Sequence, residues 1–176
     1  MALRSIVLEG DQILTKKCRE VINFDEKLHQ LLDDMNETMR NAKGVGLAAP
    51  QVGLLKRVAV IDVGDGLIEL VNPIIIDQKG EQKSAEGCLS FPNKTAITIR
   101  PQFVTVRAQD RNGNIIEITG HNLKAKAFCH EIDHLDGISF LERAVSVTDS
   151  KFGAIKESVK LLAEKAEQKI KEKFKR

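Results

Sequence analysis

Apolar side chains keep helical spacing in three stretches of this chain and run at alternate or consecutive positions between them. Leu28, Leu31, Leu32, Met35 and Met39 fall on one face of a helical period, with Asp25 placed ahead of them as an N-cap. The pattern predicts a helix ending near Gly44, preceded by a polar loop from about Glu9 to Asn23. After a glycine-rich segment, GVGLAAPQVG (44–53), the run VAVIDV (58–63) reads as a buried strand. LIELVNPII, TAITI and QFVTVRAQD are further β-branched runs separated by Gly, Pro or Asn. Arg111-Asn112-Gly113-Asn114 predicts a tight hairpin turn. Helical periodicity returns over Leu123–Leu135. It returns again from about Ser150, where Phe152, Ile155, Val159, Leu162, Ala166 and Ile170 make one stripe. Helices at both ends and in the middle, with short strands between them, indicate an α+β fold of antiparallel or mixed sheets packed around the middle helix. A chain of 176 residues suits one domain with one core, and 150–176 is expected to form its C-terminal basic helix.

Composition changes this picture little: 42% hydrophobic and 30% charged residues are ordinary for a folded protein. With seven Phe and no Tyr or Trp, the core must rest on Leu, Ile, Val and Ala. No apolar run approaches the roughly 20 residues of a membrane span, and Arg4 and Glu9 interrupt any leader-like stretch, so a cytoplasmic location is expected, without membrane or DNA partners. Charge is more informative when divided along the chain. Residues 151–176 hold nine Lys/Arg against four Glu, a local +5 within a total of +2. Three cysteines (Cys18, Cys88, Cys129) cannot form a closed disulfide set, so the question becomes which thiol has chemistry to perform.

His130-Glu131-Ile132-Asp133-His134 is the strongest local signal. On a helix, residues four apart share a face, so two imidazoles can converge on one ion, while Glu131 lies near enough to move a proton. Ala125, Ala127, Phe128, Ile132 and Leu135 surround the motif and argue for a packed helix, where buried histidines need partners. A third ligand must come from elsewhere. His29 and His121 are weaker candidates than Cys88, which sits in Glu86-Gly87-Cys88-Leu89-Ser90 with no evident structural duty. Two His and one Cys leave an open coordination position, as catalytic sites require. By ligand softness alone zinc suits this set as well as iron. In the glycine-rich segment Gly44–Gln51, small residues let an extended substrate approach the backbone, and Gln51 offers an amide to a developing oxyanion.

Taken together, in order and with compatible spacing, Gly-x-Gly-apolar-Ala-Ala-x-Gln at 44–51, Glu-Gly-Cys-Leu-Ser at 86–90 and His-Glu-x-x-His at 130–134 resemble the peptide deformylases, which remove the formyl group from the N-terminus of new proteins. The resemblance implies that Cys88, His130 and His134 hold a divalent metal, ferrous iron before zinc, nickel or cobalt, and that Glu131 moves the proton. It implies that Gln51 and the backbone N–H of Leu89 stabilise the oxyanion. Gly46 would bond the substrate backbone, Arg100 would contact the peptide further along, and Val45 and Leu123 would line a methionine pocket. It also implies contact with the ribosome through the basic C-terminal helix, which is like that of the family's Gram-negative-type branch. Cys129 stands where many members carry Gln, and reads either as support behind the metal ligands or as core packing. Two other readings remain to be separated by assay: a metallopeptidase using the same His-Glu-x-x-His logic, and a ribosome- or RNA-binding protein that has lost activity.

Overall fold

A computed structural model describes residues 2–149. The C-terminal helix expected over 150–176 lies outside them. Helix α1 spans Glu26–Asn41, and the Asp25 side chain accepts the Leu28 N–H at its start, as the cap pattern predicts. Its buried face is Leu28, Leu31, Leu32, Met35 and Met39. The helix terminates through Ala42, whose N–H reaches Thr38, and the Gly44 N–H then bonds the Met39 carbonyl. Strand β1 (Gly46–Ala48), a 3-10 turn (Ala49–Val52) and strand β2 (Val58–Ile61) follow, all buried at nearly every position. Further strands are β3 (Ile68–Lys79), β4 (Gln82–Cys88), β5 (Phe91–Arg100), β6 (Phe103–Gln109) and β7 (Ile115–His121), then helix α2 (Leu123–Leu135) and β8 (Ala144–Asp149).

The strands form two sheets, ordered β1-β2-β3-β6-β7 and β4-β5-β8, and every named strand pair is antiparallel. The α+β reading with antiparallel sheets therefore stands. Three strands were not predicted as such, and one of them, β1, lies in the segment that reads only as glycine-rich. β4 reads QKSAEGC, polar and poor in β-branched residues, and its alternating exposure exists only because it pairs with β5. β8 follows a short 3-10 turn and is completed by pairing with the same strand. β3 also runs past the predicted apolar segment, bending at two irregularities near Asn72 and Ile76. At the first of these, Asn72 takes positive φ and its side chain clamps the N–H and carbonyl of Val21. The predicted hairpin turn joins β6 to β7, with Asp110 accepting the N–H groups of Asn112 and Asn114 and Gly113 in the left-handed region.

α1 packs its apolar face on β1 and β2, while α2 buries Ala125, Phe128, Cys129 and Ile132 against Ile61, Leu70, Val104 and Val106. Residues on the α2 side nearer β4 and β5 are polar, and the second sheet brings its own polar side chains to meet them. That boundary between helix and small sheet is where the chemistry collects. No helix of the described residues is long and apolar enough to cross a membrane.

Candidate metal centre

Three segments distant in sequence supply one cluster. Cys88 ends β4, and His130 and His134 sit one turn apart on α2; their donor atoms all lie within 4.8 Å of one another. Cys88 Sγ is 3.2 Å from His134 Nε2, and the two imidazole rings stand edge to face with centroids 4.9 Å apart. His29 is far from this group, its ring bonded to the Arg111 carbonyl, and His121 lies exposed against Phe103. Of the three candidates for a third ligand, only Cys88 converges with the helix pair.

Each imidazole of this candidate donor set is conditioned by its neighbours. His130 Nδ1 donates to Glu86 Oε2 at 3.0 Å, which turns Nε2 toward the cluster. Burial presses His134 down to about 3, and the field of His130 adds to this, so it is a neutral imidazole as a ligand must be. Burial also works against charge on His130, but bonds to Cys88 and Glu86 and the field of Glu131 overcome it and lift the group to about 10. The spot thus draws a positive charge to itself, which a proton on His130 supplies and a divalent ion would supply better. One thiol and two imidazoles at these separations fit a four-coordinate transition-metal ion with one position left over.

Glu131 is buried beside this cluster, its Oε2 has no hydrogen-bond partner among the described residues, and desolvation pushes its carboxyl up to about 7, against the opposing field of His130. A carboxyl at that value can both take and return a proton near neutrality. Its place is made by Gly46. A methyl group there would lie 2.8 Å from the Glu131 carboxyl carbon and 3.0 Å from its Cγ. Gln51 is wholly buried and fixed at both ends. Its Oε1 accepts the Ala48 N–H at 2.8 Å, so its amide nitrogen points at Ser90 Oγ (3.2 Å) and Cys88 Sγ (3.4 Å).

A cavity of about 480 Å³ opens onto these groups. Val45, Gly46, Leu89, Leu123, Ala127 and Phe91 give it apolar walls, with Gln51, Cys88, His130 and Glu131 on one side. The sequence profile of the polypeptide deformylase family matches residues 3–150. The chain belongs to that family. It is similar to the peptide deformylase of Acetivibrio thermocellus, 55% identical over 149 residues that cover 85% of this chain and 88% of that one. It is similar also to that of Alkaliphilus metalliredigens, 54% identical over 145 residues covering 82% and 99%. Among solved structures, a peptide deformylase from Legionella pneumophila superposes with a TM-score of 0.80 at 40% identity, covering 92% of this chain and 98% of its own. That of Thermotoga maritima gives 0.81 at 37% identity, covering 83% and 100%.

Within this deformylase fold, nearly all residues singled out from sequence lie at the cavity: Val45, Gly46, Gln51, Cys88, Leu89, Leu123, His130 and Glu131 line it, and His134 completes the donor cluster behind them. Arg100 corrects the expectation placed on it. It was read as a contact for the substrate peptide, yet its side chain is buried, donating Nε and Nη2 to Glu86 (2.8 and 3.1 Å) and Nη1 to Asp133 (2.6 Å). Three of its five donors are spent on two buried carboxylates, and the side chain is not part of the cavity wall. Cys129 packs in the apolar cluster of α2, the second of its two readings. What the sequence reading missed is the polar support: Glu86, which takes Thr98, Arg100 and His130 at once, together with Ser90 and Asp133. Glu86 and Asp133 stand inside the recognised motifs, so acidic residues predicted to be buried next to ligands were the available signal.

Proposed function

We propose that this chain removes the N-formyl group from formyl-methionine at the start of newly made proteins, releasing formate, with a divalent ion held by Cys88, His130 and His134. The observation that carries this reading is the convergence of that donor set with a raised-pKa carboxyl, Glu131, at the wall of an apolar cavity. When bound, the ion would supply Lewis-acid polarisation of the formyl carbonyl and acidify water to a nucleophile at neutral pH. Ferrous iron is the ion we assign to the working enzyme, in keeping with the family resemblance.

The remaining steps belong to the chain's own residues. Glu131 accepts the proton of the attacking water and returns it to the leaving amine nitrogen, so that formate and a free amino terminus depart. The Gln51 amide nitrogen and the Leu89 N–H donate to the oxygen that gains charge as the carbonyl becomes tetrahedral. Locking of Gln51 through Ala48 means that this donor needs no reorganisation during reaction. Gly46, on the edge strand β1, offers its backbone to an extended peptide. Val45 and Leu123, both half exposed at the cavity, are the walls for the methionine side chain. The helix that carries the motif is, in our reading, the centre of the architecture, and the whole of 1–176 forms one catalytic unit.

The enzyme would work in the cytoplasm on chains still being made. Residues 169–176, KIKEKFKR, carry five Lys/Arg and one Glu. We assign them a docking role on ribosomal RNA phosphates, each neutralised phosphate adding a salt slope of roughly 0.7–0.9 in log affinity. Deletion of Lys169–Arg176 should weaken ribosome binding and leave hydrolysis of a short formyl peptide unchanged; equal affinity at low salt refutes the role. The catalytic proposal itself is tested with formyl-Met-Ala-Ser. Metal-loaded protein should release formate and leave the peptide bonds intact, whereas cleavage between residues would favour a metallopeptidase and inertness a binding protein.

A further inference from the structure

Asp133 sits between the catalytic carboxyl and the second histidine of the motif, and its surroundings join the donor cluster to a residue outside every motif. Its Oδ2 accepts Arg100 Nη1 at 2.6 Å, while Arg143 donates Nη2 to Oδ1 at 2.9 Å and Nε to Oδ2 at 3.3 Å. From Arg100 the chain of bonds continues through Glu86 to His130 Nδ1. Two buried carboxylates, Glu86 and Asp133, therefore share one buried guanidinium. Each would draw Arg100 toward itself, because an under-neutralised carboxylate in a low-dielectric setting is costly. Arg143 settles that competition by supplying Asp133 with a second cation, so Arg100 can keep two of its donors on Glu86. Glu86, held on both oxygens, then fixes the proton and direction of His130.

We propose that Arg143 is a positioning residue for the metal centre, acting through Asp133, Arg100 and Glu86 on His130. The proposal rests on the ligand set assigned above. Arg143 lies in the 3-10 turn Phe140–Arg143 just beyond α2, and its own side chain is 48% exposed, so its removal opens no cavity in the core. A lysine at this position would keep the charge but lose the forked pair of donors that serves both Asp133 oxygens.

The test is competition for Zn2+ between a chromophoric chelator and the full-length protein. Direct outer partners of ligands typically shift metal affinity by roughly 10–100-fold; at this greater remove, Arg143→Ala should weaken Zn2+ binding by about three- to tenfold. Arg143→Lys should recover part of the loss. In a Glu86→Gln background, Arg143→Ala should have no further effect, since the route to His130 is already cut. As a second readout independent of that variant, the His130 Nδ1 proton of the Zn2+-loaded protein should exchange faster with solvent in Arg143→Ala. Equal zinc affinity and equal exchange in wild type and Arg143→Ala would overturn the proposal, as would the same fold loss in both backgrounds. Failure of the wild type to bind zinc would instead overturn the ligand set itself.

Discussion

Substituting Gly46 by Ala should separate folding from chemistry in this protein. Gly46 lies in β1 with its partner Ile61 across the ladder, and its backbone is not in the left-handed region, so alanine brings no conformational strain. What alanine brings is a methyl group 2.8 Å from the Glu131 carboxyl carbon and 3.0 Å from Cγ, where ordinary contact needs at least 3.4 Å. The backbone of β1 is pinned between β2 and the core, so Glu131 must give way, and the cavity on its open side lets it do so. The fold should therefore lose only about 1–3 kcal/mol from overpacking. Catalysis should suffer far more, because a reacting group displaced by about 1 Å loses on the order of 10²-fold in rate. The assay is formate release from formyl-Met-Ala-Ser by metal-replete Gly46→Ala, with metal content and thermal midpoint measured on the same sample. A kcat within threefold of wild type would refute the claim that Gly46 exists to seat Glu131.

Other expectations follow from the same geometry. Cys88→Ser should lose most metal affinity, a hydroxyl being a poor substitute for a thiolate, while Cys18→Ser and Cys129→Ser keep the metal; metal content that tracks Cys129 would show the ligand set to be wrong. Burial pushes the thiols of Cys18 and Cys129 up to about 11, so neither should react with iodoacetamide in the native protein at pH 8, and prompt labelling of either by mass spectrometry would contradict their placement. Burial alone would raise the Glu86 carboxyl, but bonds from His130, Arg100 and Thr98 outweigh it and hold it well below its usual 4.5. The stability Glu86 contributes is therefore complete above that value and fades as pH falls toward its depressed folded value. The gap in urea midpoint between wild type and Glu86→Gln should narrow from pH 7 to pH 3; a constant gap would refute this.

The apolar periodicities carried most of the fold. α1 and its cap, the buried β2, the β6–β7 turn and α2 all depend on neighbours close in sequence, and each is where its pattern put it. β4 was hidden for the opposite reason: its identity comes from pairing with β5, a long-range fact that QKSAEGC does not record. β8, AVSVTD, does carry a short β-branched alternation before it pairs with the same strand. At the site, the donors were legible because metal chemistry restricts residue type and spacing, as it did for His130 and His134 one turn apart. Arg100 was misread because an arginine at the end of a strand looks free in sequence; only the folded chain reveals that Glu86 and Asp133 meet it. Arg143 carried no signal at all, since its partner Asp133 becomes a buried carboxylate only when β5 closes over α2.

The central claim is that Cys88, His130 and His134 hold the metal while Glu131 moves the proton in deformylation. Its most direct test is the paired measurement of bound metal and formate release in Glu131→Gln, handled without air. Glutamine keeps the size of the side chain, adds no charge and cannot take the proton, so metal should remain at the wild-type stoichiometry while turnover falls by roughly 10²–10⁴-fold. A metal-replete Glu131→Gln protein that still released formate at near wild-type rate would contradict the account.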